Sequence, residues 1–234
     1  MNIIITGASS GIGFEAALEL ILSNDNHVIA LARSEDKLEN LYTIAKGLNP
    51  ECNLYPARFD IVEDDYETAF LPFVRQRFNK VDILINNAGT LVNKAFLETS
   101  PLDFAGMIQS NLLGHVQMIQ SIVPMMSAHA HILNIGSMGG FQGSVKFPGL
   151  SAYSASKAAL HTLTECLAYE FAERGIRVNC LALGSAQTEM LEKAFPEYQS
   201  PVMAFEMGKY VADFALNGHR FFNGKILPVA VTTP

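Results

Sequence analysis

The stretch that decides the fold is residues 3–13, Ile-Ile-Ile-Thr-Gly-Ala-Ser-Ser-Gly-Ile-Gly. A short β-branched run predicts a buried strand, and three glycines follow where the chain must turn into a helix. Glycine permits positive φ and carries no Cβ, so a phosphate can rest on free N–H groups at the positive end of that helix. The spacing is G-x-x-x-G-x-G rather than G-x-G-x-x-G. The turn therefore favours nucleotide binding, with an ordinary tight turn as the alternative.

The same strand-then-helix order recurs along the chain. Alternation of this kind is typical of βαβ units. We therefore predict a single-domain, Rossmann-like, doubly wound α/β fold with a parallel sheet of about seven strands and helices on both faces. The predicted strands are Ile3–Thr6, His27–Ala32, Leu54–Ala57, Asp82–Asn86, His131–Ile135, Arg177–Ala182 and Lys225–Val229; the predicted helices are Gly11–Ser23, Glu35–Ala45, Val62–Phe78, Ser100–Met125 and Ser151–Glu173.

Composition narrows the class of protein. Of 234 residues, 49% are hydrophobic and 17% charged, which predicts a globular chain rather than a disordered one. The net charge of −7 has the wrong sign for gripping nucleic acid. The three cysteines, Cys52, Cys166 and Cys180, lack CxxC spacing and suit reduced thiols. With no secretory signal and no apolar run of membrane length, we expect a cytoplasmic protein without a membrane partner.

No linker or composition shift divides residues 1–234, so one domain is the preferred interpretation. The stretch from about 184 to 210 carries Pro196 and Pro201 around short apolar patches. It predicts a mobile loop or short helices over a pocket. The substrate pocket itself is expected between Met138–Leu150 and Glu189–Met207.

Tyr153 and Lys157 are the strongest candidates for chemistry. They lie four residues apart in an Ala-rich helical segment and therefore share one face. An ammonium about 4 Å from a phenol, at an effective dielectric near 20, favours phenolate by up to about 4 kcal/mol before desolvation. The tyrosine could then serve as an acid or base. Ser137, after a predicted strand, offers a hydroxyl for a carbonyl oxygen, although each feature alone is also common on protein surfaces.

Two other motifs suggest different enzymes. Residues 7–11 fit G-x-S-x-G, the nucleophile elbow of serine hydrolases, with Ser9 as nucleophile, but no HGGG-like segment accompanies it. Residues 154–157 fit S-x-x-K, without the companion S-D-N and K-T-G segments of penicillin-binding enzymes. His129 and His131 have no nearby ligands to complete a metal site, so none is expected.

Taken together, four motifs in register resemble the short-chain dehydrogenase/reductase family. They are residues 6–13 (TGASSGIG), residues 86–89 (NNAG), Ser137 and Tyr153-x-x-x-Lys157. The resemblance implies a nicotinamide-dependent oxidoreductase in which Tyr153 is the general acid, Ser137 positions the carbonyl, and Lys157 binds the nicotinamide ribose and lowers the tyrosine pKa. It also implies that Asn111 is the fourth catalytic residue, holding a water that links the lysine to solvent.

The same resemblance assigns a set of residues to the cofactor. The glycine turn would hold the pyrophosphate, Asp60 and Ile61 would meet the adenine, and residues 87–89 would line the cofactor. The family usually has Pro-Gly after the sixth strand, whereas Leu183 precedes Gly184 here, so we expect a looser wall at this point. The full set is Gly7, Ser9, Ser10, Gly11, Ile12, Gly13, Arg33, Asp60, Ile61, Asn87, Ala88, Gly89, Tyr153, Lys157, Gly184 and Thr188.

The end of the second predicted strand indicates which dinucleotide binds. NAD enzymes place an acidic residue there for the ribose 2′-hydroxyl, whereas this chain has Ala32 followed by Arg33. A guanidinium can pair with a 2′-phosphate, and Ser9, Ser10 and Ser34 could add hydroxyl donors. We predict a preference for NADP(H), with NAD(H) still possible and a solvated Arg33 as the alternative.

The sequence thus predicts reduction of a ketone or 3-oxoacyl carbonyl, or oxidation of the matching alcohol, in a small-molecule substrate. The alternatives are a catalytically silent dinucleotide-binding regulator and the hydrolase centred on Ser9. The predicted helices 100–125 and 151–173 carry apolar residues beyond one sheet-facing stripe, among them Leu112, Leu113, Met118, Leu167 and Phe171. Because family members often associate through these helices, we also expect a homo-oligomer, a tetramer or a dimer.

Overall fold

A computed structural model describes residues 1–231 as a seven-stranded parallel sheet flanked by helices. The strand order is β3-β2-β1-β4-β5-β6-β7, so the chain reverses its direction of winding between β1 and β4. The predicted fold class and all seven predicted strands are confirmed. The strands are β1 (Asn2–Thr6), β2 (His27–Ala32), β3 (Asn53–Arg58), β4 (Val81–Asn86), β5 (Met126–Ser137), β6 (Arg177–Leu183) and β7 (Ile226–Val229).

Within residues 1–231, eight α-helices lie around the sheet, and the alternation of strand side chains separates two hydrophobic layers. Ile3 and Ile5 of β1 face one layer, whereas Ile4 faces the other, as a pleated strand buried on both faces requires. The helices are α1 (Gly11–Leu20), α2 (Glu35–Leu48), α3 (Leu71–Arg77), α4 (Pro101–Ile108), α5 (Gly114–Ile122), α6 (Ser151–Glu170), α7 (Glu189–Ala194) and α8 (Ala204–Asn217). Helices α1, α2 and α8 bury the first layer, and α3, α5 and α6 contribute to the second.

The two strands that contain proline lie at the two edges of the sheet. Pro56 is in β3 and Pro228 is in β7, the outermost strands. Proline cannot donate a backbone hydrogen bond, so an edge strand accommodates it where a central strand would lose a rung.

The structure differs from the sequence prediction in three places. The predicted helix 62–78 consists of a π turn at Tyr66–Phe70 followed by the short helix α3. The predicted helix 100–125 is interrupted by a π turn at Gln109–Leu113 and ends in a 3-10 turn at Val123–Met125. The region predicted as a loop or short helices contains the short helix α7, but a regular 14-residue helix, α8, begins at Ala204. Within residues 1–231, no helix is both long enough and apolar enough to span a bilayer.

Candidate active site

The glycine turn after β1 is fastened to the end of β4 by buried polar contacts. The Thr6 hydroxyl accepts hydrogen bonds from the backbone N–H groups of Asn87 and Ala88, each at 3.0 Å. The Asn87 side-chain amide donates to the carbonyls of Thr6 and Gly7 at 3.0 and 3.1 Å. Because β1 and β4 flank the point where the sheet reverses its winding, these contacts shape the crevice in which doubly wound sheets bind ligands.

Each glycine of this turn occupies a position where a residue with a Cβ would be strained or would clash. Gly7 and Gly11 have φ of +69° and +58°, a region that side chains with a Cβ rarely adopt. A Cβ on Gly13 would lie 2.2 Å from the Asn87 amide nitrogen and 2.5 Å from the Gly7 carbonyl oxygen. The turn is therefore a cradle of exposed backbone at the start of α1, which fits the phosphates of a dinucleotide.

A cavity of about 1540 Å³ opens above this turn, along the carboxyl ends of the strands. It is lined by Ser137 and by all the residues predicted to bind the cofactor except Gly13. Gly13 lies behind the turn, where it contacts Asn87, and Asn111 lies behind the wall. The structure therefore gathers positions from seven separate segments into one site.

The far end of the cavity is formed by the residues after β2. Ala32 is buried, and the Arg33 guanidinium extends into solvent, with one nitrogen 3.9 Å from a carboxylate oxygen of Asp60. Asp60 also accepts a hydrogen bond from the backbone of Val62 at 2.9 Å. The Arg33 side chain is thus largely exposed at this end of the cavity, beside Asp60.

Ser137, Tyr153 and Lys157 meet at the opposite end. Ser137 is the last residue of β5, and Tyr153 and Lys157 lie one helical turn apart near the start of α6. The Lys157 ammonium is buried, donates to the Ile135 carbonyl at 2.7 Å and lies 6.0 Å from the centre of the Tyr153 ring. The three side chains are therefore arranged around one end of the cavity.

Burial controls the protonation of this group. It lowers the pKa of the Lys157 ammonium to about 8, because the ammonium loses hydration. Burial also raises the pKa of the Tyr153 phenol, and a hydrogen bond with Ser137 lowers it in part. The sequence predicted that Lys157 would lower the pKa of the tyrosine. Here desolvation of the phenol dominates, so the net direction is upward.

Asn111 lies in the π turn that separates α4 from α5. Its side-chain oxygen accepts from the Thr90 N–H at 2.9 Å, and its amide donates to the Thr90 carbonyl and the Ser156 hydroxyl, both at 3.0 Å. A Cβ on Gly89 would lie 2.9 Å from this oxygen and 3.6 Å from the Lys157 nitrogen. The fully buried side chain therefore holds the strand-end loop beside the lysine.

Because Leu183 stands where the family usually has proline, the sequence predicted a looser wall after β6. The structure instead shows regular strand pairing at this point. Leu183 is buried and in register with Ser137 of β5 and Val229 of β7, so the strand runs through this position. Gly184 continues the pairing with a hydrogen bond to the Val229 carbonyl at 2.8 Å. Thr188 then caps α7 through its hydroxyl, and its methyl group would be 3.2 Å from a Cβ on Gly11.

Sequence reasoning missed two contacts that hold α7 across the cavity. The Lys37 ammonium of α2 binds both carboxylate oxygens of Glu189, at 2.9 and 2.7 Å. At the other end of α7, the Asn93 amide donates to the Ala194 carbonyl at 2.7 Å. These partners are 152 and 101 residues apart, so no local pattern could have identified them. We call this pair of contacts the α7 clasp.

Two features bear on the alternative chemistries. Within residues 1–231, no group of three or more His, Cys, Asp or Glu side chains is arranged to hold a metal ion. All three cysteines are free thiols, and burial raises the pKa of Cys180 to about 12.

Comparison with known proteins agrees with the geometry. The family model for short chain dehydrogenases matches residues 1–199. The 3-oxoacyl-[acyl-carrier-protein] reductase FabG of Thermotoga maritima is 34% identical over 192 residues, which cover 81% of this chain and 76% of that protein.

Two solved structures are also similar to this chain. A dehydrogenase/reductase from Sinorhizobium meliloti is 27% identical, with a TM-score of 0.85, and the match covers 97% of this chain and 92% of that one. The NADP-bound structure of ElxO is 29% identical, with a TM-score of 0.82 and coverage of 97% and 96%.

Proposed function

This chain belongs to the short-chain dehydrogenase/reductase family, and from that premise we propose that it is an NADPH-dependent reductase of a ketone or 3-oxoacyl carbonyl. The family assignment makes it an NAD(P)-dependent oxidoreductase that acts on CH–OH and C=O groups. The choice of NADPH, the role of Tyr153 and the type of carbonyl are the parts we propose. The supporting observation is that Ser137, Tyr153 and Lys157 line the same cavity as the glycine turn.

Four side chains have defined roles in this proposal. Ser137 and Tyr153 donate hydrogen bonds to the substrate carbonyl, and Tyr153 gives it a proton as the oxygen becomes an alcohol. Lys157 binds the nicotinamide ribose and, by its charge, favours loss of the phenolic proton. Asn111 positions the loop that contains Thr90 beside the lysine. When bound, the nicotinamide supplies the hydride.

The buried Lys157 ammonium limits when this charge is available. Because burial lowers its pKa to about 8, the lysine is protonated below that pH and loses its charge above it. Burial also disfavours phenolate at Tyr153, so the phenol retains the proton that reduction consumes. The protonated Lys157 ammonium and the protonated Tyr153 phenol both support reduction at neutral pH.

Replacing Tyr153 by phenylalanine tests the proposal most directly. Tyr153→Phe keeps the ring and removes only the transferable proton, so we expect turnover to fall by about two to four orders of magnitude. Dinucleotide binding, measured by fluorescence titration, should change little. Tyr198→Phe is the matched control, because Tyr198 lines the same cavity with its hydroxyl on Ser185.

Three outcomes would contradict the proposal. Full turnover in Tyr153→Phe would remove the tyrosine from the mechanism. Cofactor binding without turnover of any carbonyl would favour the silent regulatory protein. Labelling of Ser9 by a fluorophosphonate would favour the hydrolase. Among the described residues, the Ser9 side chain makes no hydrogen bond to a histidine, which a serine nucleophile would need.

Preference for NADPH is supported by Arg33, which is exposed and can pair with a 2′-phosphate. In the double variant Ala32→Asp/Arg33→Ala, a carboxylate replaces that cation, so the preference should reverse. The ratio of kcat/KM for NADPH and NADH measures it. An unmodified enzyme that uses NADH equally well or better would exclude this assignment.

We also propose a homo-oligomer, tetramer or dimer. Of the apolar residues that suggested it, Met118 is buried in the core, whereas Leu113 is exposed on the π turn. Tyr169 of α6 and Leu102 of α4 are also exposed and offer apolar surface to a second copy. A monomer by light scattering at micromolar concentration would contradict this.

A further inference from the structure

The cavity wall beyond Tyr153 consists mainly of large apolar side chains. Met138 and Leu150, adjacent in sequence to Ser137 and α6, are buried. Three others are exposed although they line a concave surface: Val145 at 52%, Phe147 at 58% and Met190 at 42%. Grouped exposed apolar residues of this kind mark a surface that a ligand or partner covers. We call Met138, Val145, Phe147, Leu150, Met190 and Phe195 the apolar wall.

The α7 clasp holds part of this wall in position. Met190 follows Glu189, and Phe195 follows Ala194, so the two clasped residues are the neighbours of the two apolar side chains. Both apolar residues line the same cavity as Tyr153. The exposed side chains therefore line the cavity that also contains Tyr153.

Three polar side chains near the apolar wall, those of Ser185, Glu189 and Lys146, already have partners within the protein. The Ser185 hydroxyl bonds Tyr198 and Ser200 at 3.0 and 3.1 Å. The Glu189 carboxylate is bound to Lys37, and the Lys146 ammonium donates to the Phe141 carbonyl at 2.6 Å. Lys193 is exposed on α7. Additional hydroxyl groups on a substrate would lose water here and find few replacements.

From this we infer that the substrate is a carbonyl compound with a bulky apolar chain or ring, seated between Phe147 and α7, rather than a sugar or other polyol. The inference rests on the proposed function, since Ser137 and Tyr153 fix the carbonyl end. Selectivity then comes from apolar area, with each added methylene buried against the apolar wall.

A homologous series of straight-chain 2-ketones, compared with ketose sugars, tests the inference. With NADPH oxidation as readout, we expect kcat/KM to rise about three- to fourfold per methylene until the wall is covered. Ketoses should be turned over at least a hundredfold less efficiently than the best ketone. Equal or better use of ketoses, or no dependence on chain length, would overturn the inference.

Two variants connect the effect to the wall. Phe147→Ala and, on α7, Met190→Ala should each lower kcat/KM for the longest ketone about tenfold and lower it much less for the shortest. Phe221→Ala is the matched control, because Phe221 is 78% exposed and lies outside the cavity. Equal losses for short and long ketones would contradict the assignment.

A binding measurement separates this inference from the proposed reaction. Straight-chain alcohols, titrated into the enzyme–NADPH complex, require no turnover, and their affinity should rise with chain length. If affinity rises while every ketone is inert, the proposed reaction fails and the apolar site stands. If Tyr153-dependent turnover occurs and affinity does not change with chain length, the apolar site fails and the reaction stands.

Discussion

Two helices follow β6, and they are held in opposite ways. Helix α8 lies against α1, where Gly208 lets the two backbones approach, and it buries Val211, Ala212 and Ala215. Helix α7 has six residues, none of them buried, and is held by the polar contacts of the α7 clasp. One helix belongs to the core, and the other rests over the cavity.

Helix α8 therefore supports the proposed cofactor site, whereas α7 can adapt to the proposed substrate. Because α8 packs on α1, which begins in the glycine turn, α8 helps to fix the position of that turn. Helix α7 can move when two exposed contacts break, at a small cost in free energy. The next three changes are ordered by expected effect, from the buried helix to the exposed one.

The largest effect is expected at the contact between α8 and α1. In Gly208→Ala, the new Cβ would lie 2.4 Å from the Glu15 Cβ and 2.8 Å from the Ala16 nitrogen, so α1 must shift. We expect the free energy of unfolding to fall by about 3 kcal/mol, with weaker dinucleotide binding. Urea denaturation and fluorescence titration measure the two.

Gly106→Ala is the matched control, because a Cβ at this helical position has no neighbour within 4 Å. It should stabilise the protein by about 0.5–1 kcal/mol. Equal effects of the two substitutions would mean that close packing of α8 on α1 does not support the fold.

A pH-dependent effect is expected where α8 meets the sheet. The His131 ring in β5 contacts the Ala215 carbonyl at 2.9 Å through Nδ1 and the Asn179 amide at 3.2 Å through Nε2. These partners suit a neutral ring, and burial lowers the His131 pKa to about 4 from 6.5. The unfolded chain therefore binds a proton that the folded chain does not, and stability falls as pH decreases from 6.5 toward 4.

At about pH 5 this histidine should account for about 2 kcal/mol of lost stability relative to pH 7. His131→Asn removes the titration, so its curve of unfolding free energy against pH should be flatter by that amount, whatever its stability at pH 7. His129→Asn is the control, since His129 is exposed at φ +70°, which asparagine tolerates. Parallel curves for His131→Asn and the unmodified protein would refute this role.

The smallest effect is expected at α7. Glu189→Gln removes the charge that binds Lys37, and because the pair is exposed, we expect KM for the best ketone to rise less than about fivefold at low salt. The difference should disappear in about 0.5 M salt. Glu197→Gln, a change of charge just beyond α7, is the control. A large, salt-independent loss would mean that Glu189 contacts the reacting groups.

The sequence alone supplied the motifs on which the proposed cofactor site rests. The strand, the three glycines and the NNAG segment are local patterns, because a sharp turn and a close backbone approach restrict the residue at each position. The helical spacing of Tyr153 and Lys157 likewise fixed their shared face without any tertiary information.

Other features could not be predicted from local sequence patterns. The π turn at Asn111 depends on side-chain bonds to Thr90 and Ser156, which lie 21 and 45 residues away. The upward shift of the Tyr153 pKa depends on how completely the folded protein removes water from the phenol. The sequence did not predict helix α8, because its apolar face packs on α1, which lies far away in the chain.

By itself, then, the sequence determined the doubly wound sheet and the glycine turn, because periodicity and glycine positions act within a few residues. Only the tertiary structure decided the α7 clasp, the apolar wall and the anchoring of α8, because each depends on contacts between segments whose separation in sequence carries no signal. The proposed chemistry at the carbonyl therefore rests on short motifs. The proposed choice of substrate rests on side chains that meet only when the chain is folded.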